Sequence, residues 1–542
     1  MQRIVGPVPG NRHRNGTVTR RGAMVLSGGA AMAAGLPAAA QDTTEEAPAE
    51  AAPQSSDLVT DGQPFDYDRL TDEMRRRATG SYEPPATVER EIADLTYDEF
   101  RRIQVNDERA RWAEDEGRFR LLPYHVGWLF QEPVTLHEVV DGTVRPMDFS
   151  TEDFIYPEGL GFEDGETLPG VAGFRLNFPL NTAGKYDEVI SFLGASYFRA
   201  LGMGNLYGLS ARGVAVNSGL PGGEEFPRFS DFWMERPAPD ARSVTIWAAL
   251  DSPSLTGAYR FVVSPGRETV MEVEARLFFR EGVEQLGMAP LTSMYFLGPN
   301  DHGFDDYRPR VHDSDTLVMD AGEGRLVRPL QNPPRIANSY LGAVNPRAFG
   351  LLQRTRGFDQ YLDVGAGYEK RPSLLVEPIG DWGSGTLRLI EFPTDLETND
   401  NIVAFWIPEQ APQAGGELTL GYRLHWGTDV LPDRPELAQI ERTLAGMGGV
   451  AGVEPKNDRR KFVIDFSGGH LMEPDLEETV QENVSASGGE ITQSILEHVG
   501  GGLWRLVIEV TGEPGNVVEM KAALEAGTER LSETWLYQWM PE

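Results

Sequence analysis

A chain of 542 residues with a formal net charge of −34 is too long for one hydrophobic core and repels phosphate backbones and anionic lipid surfaces. Nucleic acid is thereby excluded as a partner, and the lack of any cysteine excludes disulfides, thiolate catalysis and Cys-ligated zinc. Sixty glycines and 38 prolines indicate a turn-rich all-β protein of two or more domains.

In chain order, Thr19-Arg20-Arg21 precedes an apolar, Gly/Ala-rich stretch from Ala23 to Ala34, and Ala38-Ala39-Ala40 offers small residues for cleavage before Gln41. This layout predicts a twin-arginine-type signal peptide over residues 1–40 and a mature protein that is soluble outside the cytoplasm. Gly22, Ala23 and Met24 depart from the usual Phe-Leu pattern after the pair, so the Sec route stays open. The apolar stretch is too short for a membrane span, and none is expected later. Residues 1–40 hold five arginines and no acid, so their removal leaves a charge of about −39. Residues 41–62 carry acids, Ala, Pro and Ser without an aromatic, the composition of a disordered acidic linker.

Structure is expected from about Phe65. Thr96-Tyr97-Asp98-Glu99 forms a capping box that opens a short helix through Phe100 and Ile103. From about Leu121 the period becomes two. Met271, Val273, Ala275 and Leu277 alternate with Glu272, Glu274 and Arg276; Leu418, Leu420, Tyr422, Leu424 and Trp426 alternate with Thr419, Gly421, Arg423 and His425. Such runs predict a large antiparallel β-sandwich over residues 63–428. Pro432, Pro435 and a Gly-rich end mark residues 429–448 as an interdomain connection. Strand-like runs at 462–466, 504–510 and 531–539 then suit a C-terminal immunoglobulin-like sandwich over 449–542, without its Cys-Trp-Cys hallmark.

Gly202-Met-Gly204-Asn-Leu-Tyr-Gly208 has its third glycine one position late for a dinucleotide loop and lies in no βαβ pattern. The eight histidines show no metal-ligand pairing, and Asp301, Asp305, Asp306, Asp313 and Asp315 do not fit a calcium loop. No metal and no cofactor are expected. Two acidic stretches stand out. Asp395-Leu396-Glu397-Thr398-Asn399-Asp400-Asn401 lies between strand-like runs, where an Asx-rich turn and an acid site are both compatible with the residue types. Tyr307-Arg308-Pro309-Arg310-Val311-His312-Asp313-Ser314-Asp315 sets a second carboxylate group beside Arg308 and His312, which are candidate substrate ligands. One protonated and one ionised carboxyl are the minimal equipment for glycoside hydrolysis. Tyr124, Trp128, Tyr197, Tyr207, Trp233, Tyr295, Tyr307, Trp382 and Trp406 are aromatics able to stack on sugar faces, and Tyr307, Trp382 and Trp406 are the candidate sugar platforms.

Long strings of this chain resemble the periplasmic glucan biosynthesis proteins G and D: Glu188-Val-Ile-Ser-Phe-Leu-Gly-Ala-Ser-Tyr-Phe-Arg199, Tyr207-Gly-Leu-Ser-Ala-Arg-Gly213, Gly223-Glu-Glu-Phe-Pro-Arg-Phe229, Ala289-Pro-Leu-Thr-Ser-Met294, Gly350-Leu-Leu-Gln-Arg354, Arg371-Pro-Ser373 and Glu397-Thr-Asn-Asp-Asn-Ile402. The resemblance runs from about Phe65 to the C-terminus and implies a large N-terminal β-sandwich with a cleft and a C-terminal immunoglobulin-like domain, in agreement with the strand pattern. It implies a periplasmic protein of osmoregulated glucan biosynthesis, acting on linear β-1,2-glucan by an inverting two-carboxylate mechanism. On it Asp400 is the general acid, Asp313 the general base working through water and polar groups, and Glu397 a neighbour that assists the relay. Arg371, in its own matching string, is implied as a substrate ligand. The twin-arginine pair and the run Gly298–Tyr307 look more like D than G. Because proteins called G match the same catalytic strings, a non-catalytic glucan-binding scaffold serving the inner-membrane glucan synthase is the alternative. Related proteins dimerise, so a homodimer is a further expectation.

Overall fold

The computed structural model describes residues 61–542, apart from 115–116, 161, 164, 302–304, 323, 450–451, 453–458 and 474–478. The expected signal peptide and all but the last two residues of the expected linker lie outside the described residues. Among those described, the strands build a ten-stranded and a fifteen-stranded sheet that share one apolar core, plus a four-stranded sheet towards the C-terminus. The all-β sandwich expected from the sequence is what forms.

Alternation decides which face turns inward. In the strand Thr269–Phe279, Met271, Val273, Ala275 and Leu277 are buried, while Glu272, Glu274 and Arg276 occupy the other face. Its neighbour Glu417–Gly427 pairs antiparallel with Val273 opposite Tyr422, and buries Leu420, Tyr422, Leu424 and Trp426. Phe192 joins the two large sheets, meeting Phe174, Phe198, Phe232 and Phe261 at ring separations of 5.2–5.3 Å. Aromatic pairs of this kind each add roughly 0.5–1.5 kcal/mol beyond the area they bury.

Helices are few. The capping box forms as expected: the Thr96 N–H donates to Glu99 Oε2 at 2.9 Å and the Glu99 N–H to Thr96 Oγ1 at 3.3 Å. The helix it opens is one turn, Tyr97–Phe100, so it stops short of Ile103. A longer helix, Tyr67–Arg77, was not anticipated. Asp66 caps it by accepting from the Arg69 N–H at 2.8 Å, and it seats Leu70, Thr71 and Met74 against the fifteen-stranded sheet.

The C-terminal sandwich grows out of the larger one. Val327 in the strand Gly324–Pro329 pairs in parallel with Trp535, so Thr534–Trp539, Val518–Ala526 and Val480–Ser487 continue the fifteen-stranded sheet. The four-stranded sheet, Gln439–Met447, Arg459–Ser467, Gly489–Gly500 and Leu503–Gly512, covers that extension. Phe462, Ile464, Phe466, Trp504 and Trp535 fill the shared core. Within 429–448, expected as a connection, Gln439–Met447 is a strand of this sheet.

Asp301 sits at the seam between the two sandwiches, beside Asn300, whose Nδ2 donates to Tyr537 Oη at 3.1 Å. Burial pushes the Asp301 carboxyl up to about 8, against the hydrogen bond it accepts from the Asn332 N–H. A carboxyl raised in the folded state holds a proton that the unfolded chain releases above about pH 4, so its contribution to stability falls as pH rises from about 4 to 8. Asp301→Asn removes that dependence. The variant is expected to melt higher than the wild type at pH 8, by on the order of 2 °C, and alike at pH 4. Melting curves with the same pH slope in both proteins would overturn this assignment.

Candidate functional site

The strands Ser384–Glu391 and Ile402–Pro408 run antiparallel with Glu391 opposite Ile402, and the acidic turn joins them at that end. Asp400 therefore emerges at the edge of the ten-stranded sheet, two residues before Ile402 begins to pair with Ser293. Asp313 arrives from the short strand Val311–His312, and its N–H donates to the Met294 carbonyl at 2.8 Å. Both carboxyls thus flank the Ser293–Met294 step.

Each acts electrostatically on the same surroundings. Burial pushes Asp313 up to about 6, Asp400 adds to the rise, and Arg371 and Arg199 oppose it. Burial also holds Asp400 above the usual carboxylate range, against Arg199, Arg371 and Arg212. Their ion pairs differ. Arg371 Nη1 lies 2.7 Å from Asp313 Oδ1, a close pair although not a well-aligned hydrogen bond. Arg199 stands 3.9 Å from Asp400 Oδ2, a buried oxygen that accepts no hydrogen bond among the described residues. A near guanidinium favours the anion, whereas an enclosed oxygen without a donor favours the acid. Burial raises both carboxyls, Asp313 to about 6, and neither Asp313 Oδ1 nor Asp400 Oδ2 accepts a hydrogen bond among the described residues, so the two titrate as a pair between facing arginines.

Glu397 stands next to this pair. Arg308 Nη2 approaches Glu397 Oε2 at 2.6 Å, and the same guanidinium donates to Asp306 at 2.6–3.2 Å and to Asp363 Oδ2 at 2.9 Å. With those contacts made, Arg308 braces three carboxylates and is not the free substrate ligand expected from the sequence. Tyr368 links the two ion pairs. Its phenol feels Arg371, Asp313, Glu397 and Arg308 together, and Arg371 Cζ lies 4.7 Å over its ring. Tyr307 is 71% exposed at the mouth, with the Arg308 guanidinium 6.0 Å from its ring, and stays available as a sugar platform.

Three expectations require correction. His312 is 1% exposed, parallel to Tyr295 at 5.1 Å, and its Nδ1 is 2.8 Å from Gln353 Oε1. Gln353 Nε2 donates to the His312 and Tyr368 carbonyls, so Oε1 accepts and Nδ1 carries the proton. Burial lowers the imidazole to about 4, which leaves it neutral and supporting Asp313 from behind. Trp406 is fully buried in the sandwich core, because Ile402, Ala404 and Trp406 share the inward face of their strand. Trp382 packs against Trp406, Phe349 and Tyr422, and its indole N–H donates to the Gly421 carbonyl at 3.2 Å. Both tryptophans lie at the Gly385–Pro408 end of the hairpin, away from Asp400, and neither can stack on a ligand there.

The sequence assigns no role to the charged residues Arg199, Arg212 and Glu188, which stand here beside Tyr197 and Tyr124, two of the aromatics able to stack on sugar faces. Tyr197 and Arg199 turn outward while Phe198 and Ala200 enter the core. Arg212, opposite Tyr197, lies 5.2 Å over its ring and pairs with Glu224 at 2.5 Å. Further along this face Glu188 accepts from the Tyr124 hydroxyl at 2.7 Å and from Arg175 at 3.0 Å. Their signal was the alternation inside Glu188–Arg199 and Tyr207–Gly213.

Comparison with known proteins agrees with this architecture. Residues 65–539 match the family described as "Periplasmic glucan biosynthesis protein, MdoG". A protein named "Glucans biosynthesis protein G" from Cereibacter sphaeroides is 51% identical over 511 residues, covering 93% of this chain and 94% of its own. Proteins of the same name from Pseudomonas paraeruginosa and Rhodopseudomonas palustris are each 42% identical, covering 88% and 90% of this chain and 92% and 96% of their own. All three bear the name G, although the Gly298–Tyr307 run was read as closer to D. The chain belongs to the periplasmic glucan biosynthesis protein MdoG family.

Proposed function

We propose that this protein works in the periplasm in glucan biosynthesis, and that it cleaves or transfers linear β-1,2-glucan by inversion. The role in glucan biosynthesis follows from family membership and from relatives named for it. The reaction rests on one observation above the others: Asp313 and Asp400 come to the same backbone step as two buried carboxyls, each raised by burial and each facing an arginine. Asp400 donates a proton to the departing glycosidic oxygen, while Asp313 takes one from water or an acceptor hydroxyl. Arg371 keeps Asp313 ionisable despite its burial. Glu397, held by Arg308, stands where a relay of polar groups would pass. Two such carboxyls share their titration, so activity is expected only in a pH window between their apparent values.

A second reading has its own support. The Asp400 side chain is 14% exposed and that of Asp313 6%, which suits a closed site that holds glucan for an inner-membrane synthase without turning it over. Incubating the mature protein with linear β-1,2-glucan separates the two. Shorter or reconnected chains that first appear with the α-anomeric configuration support the enzyme. Saturable binding with no change in chain length or linkage sinks it in favour of the holding role.

A further inference from the structure

Asp313 and Asp400 come from distant stretches of sequence, yet one buried tripeptide, Met294-Tyr295-Phe296, ties both down. The Met294 carbonyl accepts the Asp313 N–H at 2.8 Å. The Tyr295 backbone is gripped on both sides by the Asn401 side chain: the Tyr295 N–H donates to Oδ1 at 2.8 Å, and Nδ2 donates to the Tyr295 carbonyl at 3.0 Å. The same Nδ2 donates to the Phe392 carbonyl at 2.9 Å and closes the base of the acid loop. The Phe296 carbonyl accepts from Asn332 Nδ2 at 3.0 Å. That amide in turn grips Thr394, whose N–H donates to Oδ1 at 2.9 Å and whose carbonyl accepts from Nδ2 at 2.7 Å. The loop carrying Asp400 is therefore hooked near both of its ends to the backbone that holds Asp313.

We infer that Asn401 and Asn332 are positioning residues: through the Met294–Phe296 backbone they fix Asp400 relative to Asp313. The inference rests on the proposed reaction. An amide suits the task because one planar group both donates and accepts, matching the N–H and carbonyl of an extended residue. A carboxylate could not donate to the Tyr295 and Phe392 carbonyls, and an alkyl group would leave them without a partner. Asn401 is 1% exposed, so water does not substitute. Tyr295 also lies parallel to His312 and pairs with it across a short ladder, which stiffens the Asp313 side of the link. The proton donor and acceptor then move as one body.

The test compares the full mature chain with Asn401→Leu, Asn332→Ala and the double variant on linear β-1,2-glucan, with melting curves alongside. Asn401→Leu keeps the branching and the heavy-atom count and removes the amide. It is expected to lower kcat on the order of 10²-fold, because a displacement of about 1 Å suffices for that, while KM stays within about threefold. Asn332→Ala is expected to lower kcat less, at unchanged KM, because it frees only one end of the loop. The double variant is expected to fall short of the product of the single effects, since both act on one loop. Should Asn401→Leu fail to fold, Asn332→Ala at the half-buried end decides by the same split. A folded variant with wild-type kcat, or a loss of kcat that only mirrors lost folded protein, overturns the inference while leaving the reaction standing. A wild type that turns over no glucan overturns the reaction first, and the inference with it.

Discussion

Asp400→Asn is expected to reduce turnover of β-1,2-glucan by about 10³-fold while leaving the fold and glucan affinity intact. The carboxyl is enclosed and raised by burial, and in the proposed reaction it enters protonated, so the amide reproduces the shape of that acid but cannot release a proton. Removing a buried group of raised pKa also removes a contribution that weakens folding as pH rises above the ordinary carboxylate range, so the variant is expected to gain relative stability towards neutral pH. The role as donor has a sharper signature. A glucoside whose leaving group departs without protonation makes the acid redundant, so the Asp400→Asn deficit shrinks greatly on such a substrate. Asp313→Asn shows no such rescue, because water still needs a base. An Asp400→Asn variant within tenfold of wild type on glucan sinks the assignment.

Much of this was legible in the chain, and the parts that were not share a cause. Met271 to Leu277 alternates cleanly because one face of that strand meets the core and the other does not. The run Ile402-Val403-Ala404-Phe405-Trp406 is apolar at every position, since Val403 and Phe405 enter a second cluster on the opposite face. Such a strand gives no parity, and Trp406 could be placed on the wrong side of the sheet. The helix Tyr67–Arg77 has sequence signals in the Asp66 cap and the spacing of Leu70 and Met74, but its stripe is too short to stand out from the start of order at Phe65. Asn401 had been read as part of a turn satisfying its own backbone, and one of its contacts, to Phe392, is indeed local. Its other partner, Tyr295, is 106 positions away. No local pattern encodes a partner at that distance, just as none encodes the parallel pairing of Val327 with Trp535 that joins the two sandwiches. What local sequence preserves is two acidic stretches at the ends of strands; the family resemblance, not local chemistry, singles out Asp313 and Asp400 within them, and neither singles out Arg199 and Arg212.

Replacing Arg371 by methionine is expected to move the whole pH–activity profile to higher pH. In the wild type, burial pushes Asp313 up to about 6 while Arg371, 2.7 Å away, opposes the rise. Without the guanidinium, burial and Asp400 act against Arg199 alone, and the acid limb of kcat/KM climbs by about one unit or more. Arg371 also holds Asp400 down, so the basic limb rises in the same direction. Just above the wild-type acid limb the variant loses activity through a protonated base, a loss that shrinks as pH rises through the shifted limb. Stability follows the same proton. Leaving Asp313 ionised and unpaired costs about 3–5 kcal/mol, a penalty that shrinks towards pH 5 as the carboxyl takes up a proton. The methionine stem fills much of the space beside Tyr368, so packing loss is small compared with this charge effect. Arg371→Lys keeps the charge and separates the explanations: it retains the wild-type limbs if Arg371 acts through its field. If both variants lose activity equally at every pH, Arg371 grips substrate by shape instead. A limb that moves in methionine and stays in lysine makes Arg371 the residue that keeps a buried aspartate basic.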